Sequence, residues 1–335
     1  MLRLRLRHHC CLLGLPLLIA IIILAGNSIF RAASRKNLLA LAGDKKLLTF
    51  RRTERWGIGN EMFALASTIG IARNYPAGTW LVCADGRSAV RTAFPSVEHF
   101  PKCDPEDVLD SMDGTFYREK AYARYDADTL SLPIDHHLVL DRFLQSWKYF
   151  KHVESDLRQL FRFADAVTRA ARAALADAIE RHLQCTACID DVETIGFHVR
   201  RFGLSASHLR GKGYVTADAR YLHRAMQYFE RRLAPNDNGP VKVHVFVVVS
   251  DDIAWCREHF HGTDVVYVDT GQDLVDMAVL ASCRHSVITV GTFGWWTAWL
   301  VNGTTVYYKD WPLEDSSLYK ATSHEDYFPP EWIGL

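Results

Sequence analysis

Residues 242–249 read KVHVFVVV and run directly into Ser250-Asp251-Asp252. From Val243 to Val249 the stretch is apolar at nearly every position, without the alternation of a strand that keeps one face wet. It therefore reads as a strand buried on both faces, the signature of a parallel sheet covered by helices. Runs of the same kind recur at 194–199 (TIGFHV), 264–268 (DVVYV), 285–290 (HSVITV) and 304–308 (TTVYY). The intervening stretches 218–233, 252–260, 272–282 and 293–301 are each long enough for a helix that crosses back over the sheet. This alternation predicts a doubly wound α/β domain over 183–335. Upstream, 59–73 reads as a helix and Thr79–Cys83 as a strand, followed by Asp, Pro and Gly punctuation at 101–114 and a loop-rich zone to about residue 135. A helical stretch over 151–182 closes a second, smaller α/β domain expected over 47–182.

In an open parallel sheet, ligands bind beyond the carboxyl ends of the strands, so the residues that follow each strand are the informative ones. The first such end is His198-Val199-Arg200-Arg201, within a stretch, 194–217, that holds Arg200, Arg201, Arg210 and Lys212 but no acid. Two guanidinium groups at one strand end can fork onto a phosphate or diphosphate. An anion site is favoured over a merely solvated pair, because an apolar strand runs straight into it. The second end, at Asp251, offers either a helix cap or a carboxylate that accepts the N–H groups of a guanine ring. The third is Gly291-Thr292-Phe293-Gly294, where small residues open a helix and let backbone N–H groups approach an anion, before the run Trp295-Trp296-Thr297-Ala298-Trp299. In the first half, Gly57-Ile58-Gly59-Asn60-Glu61-Met62 is a glycine-rich loop entering a helix. Asp126-Ala127-Asp128 is the one Asp-x-Asp in the chain, and it adjoins no predicted strand.

The 335 residues carry 39 basic and 39 acidic side chains and are 49% hydrophobic, which excludes a disordered chain and argues against a nucleic-acid partner. The balance is uneven: the first acid is Asp44, and removing residues 1–43 leaves 33 basic against 39 acidic groups. The uncharged run 10–26 (CCLLGLPLLIAIIILAG) lies between Arg3, Arg5 and Arg7 on one side and Arg31, Arg35 and Lys36 on the other. It predicts a cytoplasmic tail over 1–9, a transmembrane signal anchor over 10–30 and a short stem over 31–46, with the body in the lumen; the alternative, a cleaved signal peptide, fits less well because the run exceeds a usual apolar region and lacks a clear small-x-small cleavage site. Six cysteines lie beyond it, Cys83, Cys103, Cys185, Cys188, Cys256 and Cys283, and their pairing is not readable from spacing. Cys185-x-x-Cys188 has no second pair at ligand spacing and reads as a local disulfide or two thiols.

Taken together, the strand ends resemble the galactoside α1,2-fucosyltransferase family. The resemblance is carried by His198-Val199-Arg200-Arg201, by Lys212-Gly213 followed by Tyr221-Leu222, by Trp255-Cys256, and by the block from Thr289 to Trp296. The loop from Gly57 to Met62 and the ending Pro330-Glu331-Trp332-Ile333-Gly334 complete it. It implies two facing Rossmann-like domains of the glycosyltransferase-B type behind a single anchor, in a type II Golgi protein. It implies inverting, metal-independent transfer of L-fucose from GDP-fucose, with no other cofactor, to the 2-hydroxyl of a terminal galactose. Arg200 and Arg201 would then lie at the diphosphate and act in catalysis. His198 and Asp251 would lie near the guanosine, Gly291, Thr292 and Phe293 at the donor phosphates, and Gly57, Gly59 and Asn60 along the cleft from the other domain. The chain departs from the family at Phe202-Gly203, where a Gly-Asp usually follows, so no role is carried over for that acid. Glu61, Asp85 and His198 are general-base candidates by residue type alone. The rival readings are an α1,6- or protein-O-type fucosyltransferase and a lectin-like relic that binds GDP-fucose or glycan without transfer. Asn302-Gly303-Thr304 is an N-glycosylation acceptor by sequence.

Overall fold

The computed structural model describes residues 32–53, 56–185, 190, 192–203, 206–234 and 243–335. The tail and anchor expected over 1–9 and 10–30 lie outside the described residues. Among those described, no helix is long and apolar enough to cross a membrane.

Among the described residues ten strands form two sheets, and every pairing between them is parallel. The first sheet contains β1 (Lys46–Phe50), β2 (Trp80–Val82), β3 (Gly114–Arg118) and β4 (His137–Asp141) in the order β2-β1-β4-β3. The second contains β5 (Glu193–Val199), β6 (His244–Ser250), β7 (Val265–Tyr267), β8 (His285–Ile288), β9 (Thr305–Tyr307) and β10 (Ile333–Gly334) in the order β10-β9-β8-β5-β6-β7. That order starts in the middle at β5, winds outward through β6 and β7, then returns to wind the other way through β8, β9 and β10. Its switch point lies between β5 and β8, with His198 in register with Val249 on one side and Ile288 on the other. The crossover helices Ala219–Arg232, Ile253–His259, Asp273–Ala281 and Thr292–Val301 fall in the four expected intervals.

The first half departs from its sequence reading. Strand β3 lies inside the expected loop-rich zone, and β1 and β4 add two strands that short, partly polar runs did not announce. The helical stretch expected over 151–182 is broken: after Glu154–Leu160 the chain turns, with Ala164 N–H donating to Ala93 C=O at 3.1 Å, before the helix Asp165–Leu183. Residues 32–42 are helical and bury Leu38 and Ala42 against Leu47 and Val139 of the first sheet. Cys83 and Cys103 form a disulfide in the same cluster, Cys185 is also disulfide-bonded, and Cys256 and Cys283 are buried thiols.

The helix Ile58–Arg73 joins the two halves. Its residues from Met62 to Ala66 have no exposed surface, as befits a helix with neighbours on all sides. Phe63 lies 4.5 Å from Trp295 and 5.1 Å from Trp296, ring centre to ring centre, and Phe150 stacks on Trp296 at 5.5 Å. The chain end returns to the first half as well: Ser146 hydroxyl donates to Asp326 C=O at 2.6 Å, and Lys148 pairs with the Asp326 carboxylate at 2.6 Å.

Candidate functional site

At the carboxyl end of β5 the ladder is finished by hydroxyl groups from its neighbours. Arg200 N–H donates to Thr289 Oγ1 at 2.9 Å, and Ser250 Oγ donates to Val199 C=O at 2.7 Å. The chain then turns sharply, with Phe202 at φ 64° and Gly203 at φ 49°. For Phe202 this left-handed backbone costs energy and needs an external hold. Asp251 supplies it: one carboxylate oxygen accepts from Arg201 N–H at 2.7 Å, and the other accepts from Phe202 N–H at 2.9 Å and lies 3.3 Å from Arg200 Nη1. The helix cap at this strand end is Asp252, which accepts from Trp255 N–H at 3.1 Å. Asp251, a guanine reader by resemblance, is thus already engaged as the brace of the arginine turn.

The two arginines, equivalent in sequence, are held differently. The Arg201 guanidinium lies 3.7 Å from the centre of the Trp255 ring and donates to Ala217 C=O at 2.9 Å, which fixes its plane. Arg200 is 44% exposed in its side chain, lies 5.1 Å from the Phe202 ring and is paired with the Asp251 carboxylate at 3.3 Å. Arg201 is the more enclosed of the two donors and Arg200 the more exposed.

His198 is buried beneath this turn. Its ring stacks on Phe293 at 5.2 Å, and a Cβ on Gly294 would lie 2.3 Å from its Nδ1, which has no hydrogen-bond partner. Burial, aided by the nearby Arg200 charge, pushes its pKa down to about 3, so the ring is neutral at physiological pH. Between pH 6.5 and 3 the unfolded chain takes up a proton that the folded chain refuses, so stability falls as pH falls through that window. One such proton contributes a slope of up to about 1.4 kcal/mol per pH unit. Denaturant unfolding across the window is expected to show a shallower slope in His198→Gln, and an unchanged slope would contradict the assignment.

On the other side of the switch point, Gly291 at φ 95° precedes the helix Thr292–Val301, whose N-terminus has no side-chain cap. The segment read as a glycine-rich loop is the first turn of the helix Ile58–Arg73, capped at Gly57, and it meets Thr292 there. A Cβ on Gly59 would lie 2.6 Å from the Thr292 carbonyl carbon, and Thr292 Oγ1 donates to Asn60 Oδ1 at 3.0 Å. Asn60 Oδ1 also accepts from Gln145 Nε2 at 2.9 Å. Gly59, Asn60, Thr292 and Phe293 are thus brought together. Gly57, in extended backbone at φ −74° with open space about it, meets no such neighbour.

Glu61 and Asp85 converge on Arg52, at 3.3 and 3.1 Å. Glu61 also accepts from Ser88 hydroxyl and, at 2.7 Å, from Ala89 N–H. Burial would raise the Asp85 pKa, but hydrogen bonds from Arg87 and Arg52 outweigh it and hold the carboxyl below its usual range. These two acids form a buried ion cluster around Arg52, a residue the sequence does not single out. Asp126 caps the 3-10 turn Ala127–Ser131 and accepts from Tyr117 hydroxyl at 2.7 Å, a structural role. Among the described residues no group of three or more His, Cys, Asp or Glu side chains could hold a metal ion. Asn302 ends its helix in left-handed backbone at φ 56°, exposed, its amide oxygen accepting from Arg158 at 3.0 Å.

The sequence profile of glycosyl transferase family 11 matches residues 119–335, which carry the second sheet and all three strand ends. Galactoside alpha-(1,2)-fucosyltransferase 1 of Leontocebus fuscicollis is 36% identical over 209 residues, covering 60% of this chain and 53% of that protein. The Homo sapiens protein of the same name is 35% identical over the same coverage. The chain thus spans about half the length of the curated relatives it matches. Among solved structures, the fucosyltransferase NodZ from Bradyrhizobium is 18% identical with a TM-score of 0.46, covering 76% of this chain and 93% of that one.

Proposed function

The chain belongs to glycosyl transferase family 11, and from that premise we propose that it moves L-fucose from GDP-fucose to the 2-hydroxyl of a terminal galactose, with inversion. In this reading the two sheets are the facing halves of a glycosyltransferase-B fold. The observation that carries it is the convergence at the β5/β8 switch point. Arg200 and Arg201 leave one strand end there, and the uncapped helix start at Thr292 leaves the next, closed over by Gly59 and Asn60.

Inversion requires the acceptor oxygen to attack the anomeric carbon opposite the departing GDP, through an oxocarbenium-like transition state. Negative charge grows on the diphosphate as the bond breaks. The fixed guanidinium of Arg201 meets that charge without reorganising, and Arg200 swings onto it. The amides at Thr292 and Phe293 add partial positive charge from the helix end. His198 and Phe293 floor the guanosine side, and Asp251 positions the arginine turn. Residues 10–30 anchor the protein in the Golgi membrane with the body lumenal, and Asn302 is a glycan acceptor.

The full chain in detergent, given GDP-fucose and a panel of galactosides, is expected to yield a product whose NMR spectrum shows an α-fucosyl group on galactose O2. A different linkage would assign another acceptor chemistry, and GDP-fucose binding without transfer to any galactoside would assign the lectin-like role.

A further inference from the structure

A row of aromatic rings leads away from Arg200 and crosses from one half of the molecule to the other. Phe202, over which Arg200 lies, meets Tyr214 edge-on at 5.7 Å. Tyr214 and Tyr122 share a hydrogen bond between their hydroxyl groups. Tyr122 meets Phe143 at 5.8 Å, and Phe143 stacks on Trp56 at 4.9 Å. All five rings are half-buried, although the core beside them is dense enough to enclose Trp295, Trp296 and Trp311 completely.

The backbone is strained at three points along this row. Phe202 is itself left-handed, Tyr122 precedes Ala123 at φ 45°, and Phe143 sits between Arg142 at φ 85° and Leu144 at φ 51°. Such non-glycine conformations persist only where the surroundings impose them, and they concentrate at ligand sites. The surroundings here are specific: Leu144 N–H donates to the buried Glu119 carboxylate at 3.1 Å, whose other oxygen accepts from Tyr149 hydroxyl at 3.1 Å. The fold thus carries strain on both sides of Phe143 while part of that ring stays in solvent.

We propose that this row, and Phe143 with Trp56 in particular, is the acceptor subsite, receiving the apolar C–H faces of neutral sugar rings. The row of rings carries no charge of its own, begins at Arg200 and ends in the stacked, part-exposed pair Phe143 and Trp56. Aromatic surface with a few hydroxyl groups is the composition expected of a site for an uncharged polyol with apolar faces. The assignment rests on the proposed transfer to a galactoside.

The test uses full chain in detergent and Phe143→Leu, Trp56→Leu and Phe143→Tyr. Both leucine variants keep apolar volume but lose the flat face, and are expected to raise the acceptor KM about five- to tenfold with GDP affinity unchanged. Phe143→Tyr, which keeps the flat face, is expected to raise the acceptor KM less than Phe143→Leu does. Saturation-transfer NMR with lactose in the presence of GDP reads the same site without requiring turnover. Lactose signal in the wild type that is lost in both leucine variants supports the subsite even if no fucose is transferred, in which case only the proposed reaction fails. Unchanged acceptor KM or lactose signal in both leucine variants, or no lactose signal in the wild type, overturns it.

Discussion

Replacing Arg201 with Ala is expected to lower kcat about 10²- to 10³-fold, the loss typical of removing one fixed donor from a developing oxyanion. The guanidinium lies 3.7 Å from the Trp255 ring centre and is tied to Ala217 C=O at 2.9 Å, so it is held in place by the protein itself. Its contribution therefore falls on the transition state, and the KM for GDP-fucose is expected to change much less than kcat. Arg201→Lys should recover little, because an ammonium lacks the plane that stacks on an indole and the fork that matches a phosphate. Arg200→Ala is also expected to reduce turnover severely. Its more exposed side chain pairs with Asp251, so part of its loss should appear as weaker donor binding. Initial rates over a GDP-fucose series, with thermal unfolding of each variant as a control, check both. Near-normal kcat in a folded Arg201→Ala protein would remove the diphosphate role.

Gly59→Ala is expected to have the second large effect. A methyl group there would lie 2.6 Å from the Thr292 carbonyl carbon and 2.8 Å from its oxygen, both backbone atoms that cannot step aside alone. Overpacking of this kind costs about 1–3 kcal/mol, and relief requires the starts of the helices Ile58–Arg73 and Thr292–Val301 to separate. That movement would break the Thr292–Asn60 hydrogen bond and widen the switch point. Activity should fall well beyond what the lowered melting temperature explains, because groups that act on a bond-breaking step lose effect over small displacements. Gly57→Ala is the matched control: nothing lies within 4 Å of its added methyl and its φ is ordinary, so stability should be close to wild type. Equal melting temperatures and rates for the two variants would contradict this account.

These two sites show what was readable from residues and what was not. Strands β5 to β9 were legible because a strand covered on both faces must be apolar throughout, and the arginine pair stood out as the end of an acid-free run. Strands β1, β3 and β4 escaped notice because five-residue runs such as GTFYR mix polar and apolar positions as loops do. β10 has two residues and exists only through its pairing with β9. In the site, Asp251 was visible as a carboxylate at a strand end, but its grip on the Arg201 and Phe202 amides is a property of the turn. Gln145 and Arg52 carried no signal: each is a lone polar residue whose partners, Asn60 and the pair Glu61 and Asp85, are brought near only by folding.

The cluster of Phe63, Phe150, Trp295 and Trp296 bears on how the proposed transferase would meet its substrates. Transferases with two loosely joined lobes must close around each substrate, giving up interdomain freedom at every turnover. Here the helix Ile58–Arg73 is set into an aromatic core drawn from both halves, and the C-terminal segment is latched back onto the first. The two halves thus share one core rather than meeting only at a hinge. Under the proposed transfer, substrates would enter between halves that already share that core, and the turn Arg200–Gly203 is where adjustment to them would fall.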